Sequence, residues 1–271
     1  MEEVQGKLIT VHTLAEDFRR LGIQAGMTLL VHSSFKSMGE WVAGGPVAVI
    51  LALEEVLGEE GTLVMPTHSG DLSDPAGWSN PPVPQDWWQS IREQMPVYDP
   101  DLTLLRGMGV IPDCFRKQKG VQRSSHPLSS FAAWGKYRDE IINGHGLDHS
   151  LGEDSPLARI YELEGRILLL GVGNLNNTSL HLAECRASFA GKKEGIAGAP
   201  MMLEGNRQWV EFKEQEWNSD DFVQLAEQFQ GETGLITYGN VAAAPAQLIP
   251  QREIVDYAVS WMEHNRKIDL N

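Results

Sequence analysis

His181 and Glu184 stand three residues apart, directly after the polar turn Gly173–Asn174–Leu175–Asn176–Asn177–Thr178. The apolar run at 167–172 before that turn predicts a buried strand. If the segment after the turn is helical, the imidazole and the carboxylate share one face. A neutral His181 can then take a proton from an incoming nucleophile, while Glu184 holds its tautomer or stabilises the imidazolium that forms. A base and its orienting acid at a strand end is a recurrent way to build a site in an α/β protein. The competing reading is a capped helix start followed by a partly buried histidine.

Two further segments carry polar groups at strand ends. Val31–His32–Ser33–Ser34 places small hydroxyls after a short apolar run, and Gly44–Gly45–Pro46 opens the next helix. Such an arrangement can hold a phosphate or an extended cofactor arm, since a helix start supplies free N–H groups and partial positive charge. Neither GxGxxG nor GxxxxGK[ST] is present, so no dinucleotide or P-loop fingerprint supports it, and an ordinary βα turn fits as well. The second segment is Arg123–Ser124–Ser125–His126–Pro127–Leu128–Ser129–Ser130. Its hydroxyls and imidazole can hydrogen-bond a diphosphate or the amides of a pantetheine arm, with Arg123 supplying charge. The same loop reads equally well as a polar turn with His126 stacked on a neighbour.

Other reactive side chains give weaker patterns. Cys114 and Cys185 match no zinc spacing and no CxxC motif, so they read as reduced thiols in a cytoplasmic protein. Cys185 follows Glu184 directly, but it lacks the context of a cysteine nucleophile and reads as a small packing residue. His145 and His149 have the i, i+4 spacing of a helical zinc pair. The glycines at 144 and 146 argue instead for a surface loop, and no metal is expected.

The elements that must position these groups follow a βαβ rhythm. Thr13 can cap a helix over 14–21, with Glu16 completing a capping box and Gly22 ending it. A strand is predicted over 27–31 and a helix over Pro46–Leu57, which has proline in its first turn and Gly58 at its end. Strand 61–66, helical segments at 109–118 and 156–163 (the latter capped by Ser155), strand 167–172, strand-like 208–212 and helices over 220–230 and 252–265 complete the reading. The order implies an α/β domain with a central mostly parallel or mixed sheet flanked by helices. Residues 66–105 are rich in Pro, Trp, Asp, Ser and Gly and read as an irregular insertion, whose Trp78, Trp87 and Trp88 line a pocket or pin the loop. No repeat or linker divides the 271 residues, so one domain over 1–271 is expected.

Charge narrows the partners. With 37 acidic against 22 basic side chains the net charge is −15, which disfavours nucleic acid and anionic membranes and favours approach of a cationic ligand. No apolar run approaches membrane-spanning length, and no signal pattern opens the chain. Assembly as a homo-oligomer is left open.

Taken together, these segments resemble the aminoglycoside N3-acetyltransferase family. The matching residues run in order: Val31–His32–Ser33–Ser34 with Gly39 and Gly44–Gly45, then Gly61–Thr62–Leu63–Val64–Met65–Pro66–Thr67, then Met108–Gly109 and Arg116. They continue through the Arg123–Ser124–x–His126–Pro127–x–x–Ser129 or Ser130 region, Ser155–Pro156–Leu157, Leu169–Leu170–Gly171–Val172–Gly173 and Asn177–Thr178–Ser179–Leu180–His181–Leu182–Ala183–Glu184. The likeness spans residues 8–265. It implies an α/β fold distinct from the GNAT fold and acetyl transfer from acetyl-coenzyme A to the 3-amino group of a 2-deoxystreptamine aminoglycoside. It implies His181 as general base and Glu184 as its acidic partner or a substrate contact. Ser33, Ser34, His126 and Ser129 or Ser130 fall where the family holds coenzyme A. Asp113 departs from the family's more frequent glutamate, and the 66–105 loop is this chain's own. A same-fold acyltransferase acting on another amine, and an acidic protein that only sequesters cationic antibiotics, are the alternatives.

Overall fold

The computed structural model describes residues 6–39 and 41–266. Its strands are β1 (Thr28–Ser33), β2 (Thr62–Pro66), β3 (Gln122–Arg123), β4 (Phe131–Gly135), β5 (Arg166–Leu170), β6 (Glu194–Leu203), β7 (Asn206–Gln215), β8 (Thr237–Val241) and β9 (Ala244–Pro250). The helices are α1 (Val11–Leu21), α2 (Pro46–Leu57), α3 (Trp88–Gln94), α4 (Val110–Phe115), α5 (Arg138–Ile142), α6 (Pro156–Glu162), α7 (Ser179–Arg186), α8 (Phe222–Thr233) and α9 (Gln251–Asn265). Seven strands form one sheet in the order β3-β4-β2-β1-β5-β9-β8, and β6 and β7 form a separate ribbon. The sheet is mixed. β1 pairs in parallel with both β2 and β5, and antiparallel hairpin partners flank this centre on each side.

The three central strands are buried along almost their whole length, so their middle residues are apolar on both faces, and the polar Thr28, His32, Ser33, Thr62 and Arg166 fall toward strand ends. Leu29 and Val31 of β1, Leu63 and Met65 of β2 and Leu168 and Leu170 of β5 pack with α1 and α2. Leu30, Val64, Ile167 and Leu169 point the other way, into a second core with α6, α7, α8 and α9. This alternation is the two-residue period of a strand, applied with apolar residues on both faces.

Two local expectations shift. The first helix starts at Val11, and Thr10 rather than Thr13 is its cap. Thr13 occupies the third helical position, where its hydroxyl accepts from Thr10 N at 2.9 Å, so it performs the reciprocal half of a capping box. The 66–105 segment also contains α3 and several single 3-10 turns. Two of its indoles pin it, Trp78 Nε1 donating to Ser73 Oγ at 3.0 Å and Trp88 Nε1 to Val83 O at 3.3 Å, whereas Trp87 is exposed. Arg92 on α3 binds Asp74 through two nitrogens, at 3.0 and 2.8 Å.

Gly171 fixes the exit from β5. Its φ is +67°, and a Cβ there would come within 2.7 Å of Ser37 Oγ. The same Ser37 hydroxyl donates to Gly171 O at 2.9 Å, so the turn after β1 and the turn after β5 are held against each other. Among the described residues no helix is long and apolar enough to cross a membrane.

Candidate active site

The carboxyl ends of parallel strands are where α/β sheets leave a crevice. Here β1 and β5 run side by side, with His32 opposite Leu169 and Ser33 opposite Leu170. A cavity of about 580 Å3 opens at these ends, and His32, Ser33, Ser34, Lys36, Thr178 and His181 are among its lining residues. The chain reaches it from β5 through the Asn174–Asn176 turn, and α7 then begins at Ser179.

On α7 the expected pair forms. His181 Nδ1 hydrogen-bonds Glu184 Oε2. With Nδ1–H donating to the carboxylate, Nε2 keeps its lone pair for a ligand. The imidazole is wedged between two aromatic rings, Trp217 just after β7 and Phe222 at the start of α8, each centred 5.0 Å away. Glu184 is buried, and its second oxygen is also committed: Oε1 accepts from Arg266 Nη1 and from Asn218 N, the latter at 3.2 Å. A carboxylate so placed faces the histidine rather than the cavity.

Across the cavity, His32 is buried, and Thr178 Oγ1 lies 3.3 Å from its Nε2. Burial, aided by the charge that His181 can carry, pushes the His32 pKa down to about 3. His32 is therefore neutral above about pH 3. Ser33 contributes to the cavity lining, and its Oγ is buried with no hydrogen-bond partner among the described residues.

The structure brings Ser33, Ser34 and His181 to one cavity. It does not bring Arg123, His126, Ser129 or Ser130 to that lining. Their polar atoms are turned inward, into hydrogen bonds with the β3–β4 connection and the segments beside it. Arg123 Nε donates to Ser130 Oγ at 2.9 Å, its Nη1 to Thr103 O at 2.7 Å, and its Nη2 to Thr67 O at 2.6 Å. Most of the guanidinium is thus used to tie the 99–103 loop to the end of β2. His126 Nδ1 accepts from the backbone N–H groups of Leu128 and Ser129, and its Nε2 donates to Leu147 O at 3.2 Å. Ser129 Oγ accepts from Ser150 Oγ at 2.9 Å, and Ser130 Oγ donates to Thr67 O at 2.8 Å. The Gly44–Gly45 start of α2 lies outside the cavity lining as well.

Other polar residues also fall differently. His145, expected in a surface loop, is buried: Ser124 Oγ lies 2.9 Å from its Nδ1, and its Nε2 meets Ser150 O at 2.7 Å. Its neighbour His149 stays at the surface, 3.1 Å from Glu194. Among the described residues no cluster of His, Cys, Asp or Glu could hold a metal ion. Asp113 is committed on α4, accepting from Arg116 Nε at 2.9 Å and Lys117 Nζ at 2.7 Å. Burial pushes the Cys185 thiol up to about 12, which keeps it protonated and poorly nucleophilic near neutral pH.

His32, His68 and His126 all have pKa values pushed to about 3, and His145 to about 4, mainly by burial. The unfolded chain takes up these protons near pH 6.5, whereas the fold takes them up only near pH 3 to 4. Stability is therefore present above about pH 6.5 and falls as the pH drops below it, by up to about 1.4 kcal/mol per pH unit for each such histidine. Denaturant midpoints measured at pH 7 and pH 5 are expected to show the loss. Equal midpoints would contradict it.

A model of the aminoglycoside 3-N-acetyltransferase family matches residues 30–263. The SPbeta prophage-derived aminoglycoside N(3')-acetyltransferase-like protein YokD of Bacillus subtilis is 46% identical, over 94% of this chain and 93% of that protein. Its crystal structure superposes with a TM-score of 0.93 at 44% identity, covering 96% of each chain. Aminoglycoside N(3)-acetyltransferase VII of Streptomyces paromomycinus is 35% identical, over 94% of this chain and 92% of that one. The structure of AAC-IIIb in binary complex with CoASH is similar at a TM-score of 0.85 and 30% identity, covering 97% of this chain and 99% of that one. The mixed seven-stranded sheet, the crevice at the ends of β1 and β5 and these likenesses lead to one assignment: the chain belongs to the aminoglycoside 3-N-acetyltransferase family.

Proposed function

We propose that the chain works as one antibiotic N-acetyltransferase domain that moves the acetyl group of acetyl-coenzyme A to the 3-amino group of a 2-deoxystreptamine aminoglycoside, thereby conferring resistance. Membership of the family and a relative solved with CoASH support the substrates. The observation that carries the chemistry is His181 on the cavity wall with Glu184 hydrogen-bonded behind it. The two unpaired cysteines, Cys114 and Cys185, support a cytoplasmic setting.

An aminoglycoside amine is mostly protonated at neutral pH and cannot attack a carbonyl until it has lost a proton. His181 Nε2 takes the amine's proton, and Glu184 stabilises the imidazolium. The amine nitrogen bonds to the thioester carbon, and the resulting oxyanion takes a hydrogen bond from Ser33 Oγ. Collapse breaks the carbon–sulfur bond. The coenzyme A thiolate leaves and takes up the second proton shed by the attacking nitrogen, which becomes the acetamide nitrogen, while the proton held by His181 passes to solvent. No acyl-enzyme is required, because a positioned amine has a high effective concentration. Ser33 and Ser34 contact the thioester end of the cofactor. Arg123, His126, Ser129 and Ser130 support the site by holding the β3–β4 hairpin.

One observation favours a second reading. The described cavity lining includes Lys36 but no Asp or Glu, although a polycationic acceptor would be held best by carboxylates. A same-fold acyltransferase for a less cationic amine fits that lining. The test is thiol release from acetyl-coenzyme A across a panel of aminoglycosides and simpler amines. Release with 2-deoxystreptamine compounds is expected. Release only with other amines would transfer the assignment to the second reading, and binding without release would make the protein an antibiotic-sequestering one.

A further inference from the structure

Arg266, immediately after α9, is the residue that commits Glu184. Its Nη1 donates to Glu184 Oε1. Its Nε and Nη2 grip Asp221 Oδ2 and Oδ1 at 2.8 and 2.7 Å, and Nη2 also donates to Asn218 O at 2.8 Å. The Phe189 ring lies 5.0 Å from the guanidinium carbon, and the side chain is only 11% exposed. The guanidinium lies outside the cavity lining and meets the His181–Glu184 pair through its hydrogen bond to Glu184 and across the Phe222 ring, 5.9 Å from the guanidinium carbon and 5.0 Å from the imidazole.

A carboxylate as buried as Glu184 would ordinarily take up a proton and become neutral unless a charge or several donors compensated it. Arg266 supplies the charge, and Asn218 N supplies a second donor to the same oxygen. That leaves Oε2 for His181 Nδ1. We propose that Arg266 is a positioning residue that keeps Glu184 ionised and aimed at Nδ1, and so sets the pH at which His181 Nε2 becomes free to accept a proton. The inference builds on His181 acting as the base.

The sign follows from the charges that face the pair. Arg266 comes from the end of α9, Asp221 from the start of α8, His32 from β1 and His68 from beyond β2, while Cys185 is their neighbour on α7. His32 and His68 stay neutral above about pH 3, and Cys185 stays protonated. Arg266 therefore balances one of two carboxylates. Replacing it with a neutral side chain leaves both uncompensated, and the His181–Glu184 pair then holds its proton to a higher pH. Either placement of that proton blocks the base. On the imidazole it makes a cation, and on Glu184 it turns the acid into a donor to Nδ1 and leaves the ring hydrogen on Nε2.

The experiment is an NMR titration of the His181 ring in the resting protein, assigned by comparison with His181→Asn, alongside the pH profile of kcat/KM. Arg266→Gln is expected to raise the His181 midpoint and the acid limb by about one pH unit, a tenfold change in proton affinity. Arg266→Lys, which keeps the charge, should stay near the parent. Asp221→Asn removes an anion from the same cluster and should move the midpoint downward, so it tests the coupling even if Arg266→Gln does not fold. An unmoved His181 midpoint in the folded variants overturns the inference. Near-normal turnover in a His181→Ala protein would instead overturn the base assignment, and the titration, read without turnover, keeps the two failures apart.

Discussion

Replacing His181 with alanine is expected to lower turnover by about 10²- to 10⁴-fold, the range that a positioned general base supplies. The loss should fall on kcat. The ring stands on the wall of the cavity, and Ser33 and Ser34 at the end of β1 remain to meet coenzyme A. Coenzyme A affinity, measured by calorimetry, should therefore stay within a few-fold of the parent. The fold should survive, because His181 is held by contacts to Trp217 and Phe222 that alanine forfeits without stranding a buried charge: Glu184 keeps Arg266 and Asn218 as partners. Near-normal turnover would remove His181 from the chemistry. His32 could not replace it, since burial holds that imidazole neutral down to about pH 3 and makes it a very weak base.

Glu184→Gln should cost a similar amount, on the order of 10²- to 10⁴-fold in kcat, by a different route. The glutamine is nearly the same size, so the packing of α7 against α9 is retained. Its amide can donate to Nδ1, which would place the imidazole hydrogen on Nε2, the nitrogen needed as acceptor. The substitution also removes the anion that favours the imidazolium and leaves Arg266 with Asp221 as its one carboxylate partner among the described residues. Steady-state assays with saturating acetyl-coenzyme A, together with a thermal melt, check it. A stable Glu184→Gln protein with parental kcat would show that the carboxylate does not govern the histidine. Glu184→Ala is a poorer probe, because it leaves Arg266 without a buried partner and opens a cavity beside α9.

What could be read from the sequence was local. Pro46 and Gly58 bracket α2 as expected, Ser155 caps α6, and the three-residue spacing of His181 and Glu184 gives their hydrogen bond as soon as α7 is helical. The shift of the cap from Thr13 to Thr10 is equally local: two threonines three residues apart can each serve as cap, and Ile9, just before Thr10, is extended, bridging Val42 and donating its N–H to Trp41 O. The rest of the site depended on residues with no sequence signal. Arg266 reaches Glu184 across 82 positions, and Asn218 reaches it across 34. Trp217 meets His181 only because the β6–β7 ribbon, of which a single short stretch was anticipated, returns the chain there. The Arg123–Ser130 loop misleads for the opposite reason. Its composition suits a phosphate site, but the β3–β4 connection and its neighbours have backbone groups of their own to satisfy, and the same side chains satisfy them.

The placement of β1 between β2 and β5 also bears on how the chain acquires its structure. Leu30 pairs with Val64 on one side and with Ile167 on the other, so half of this central strand's partners arrive more than a hundred residues later. Closing so large a loop is entropically costly and slow relative to forming the local helices. While the chain is being made, β1 and β2 must wait with an apolar, unpaired edge until β5 emerges, which is the interval in which misassociation is most damaging. α9, which carries Arg266 to Glu184, is later still. During synthesis the Arg266 contact that completes the surroundings of the His181–Glu184 pair is thus among the last to become available, after the central strands β1, β2 and β5 have all emerged.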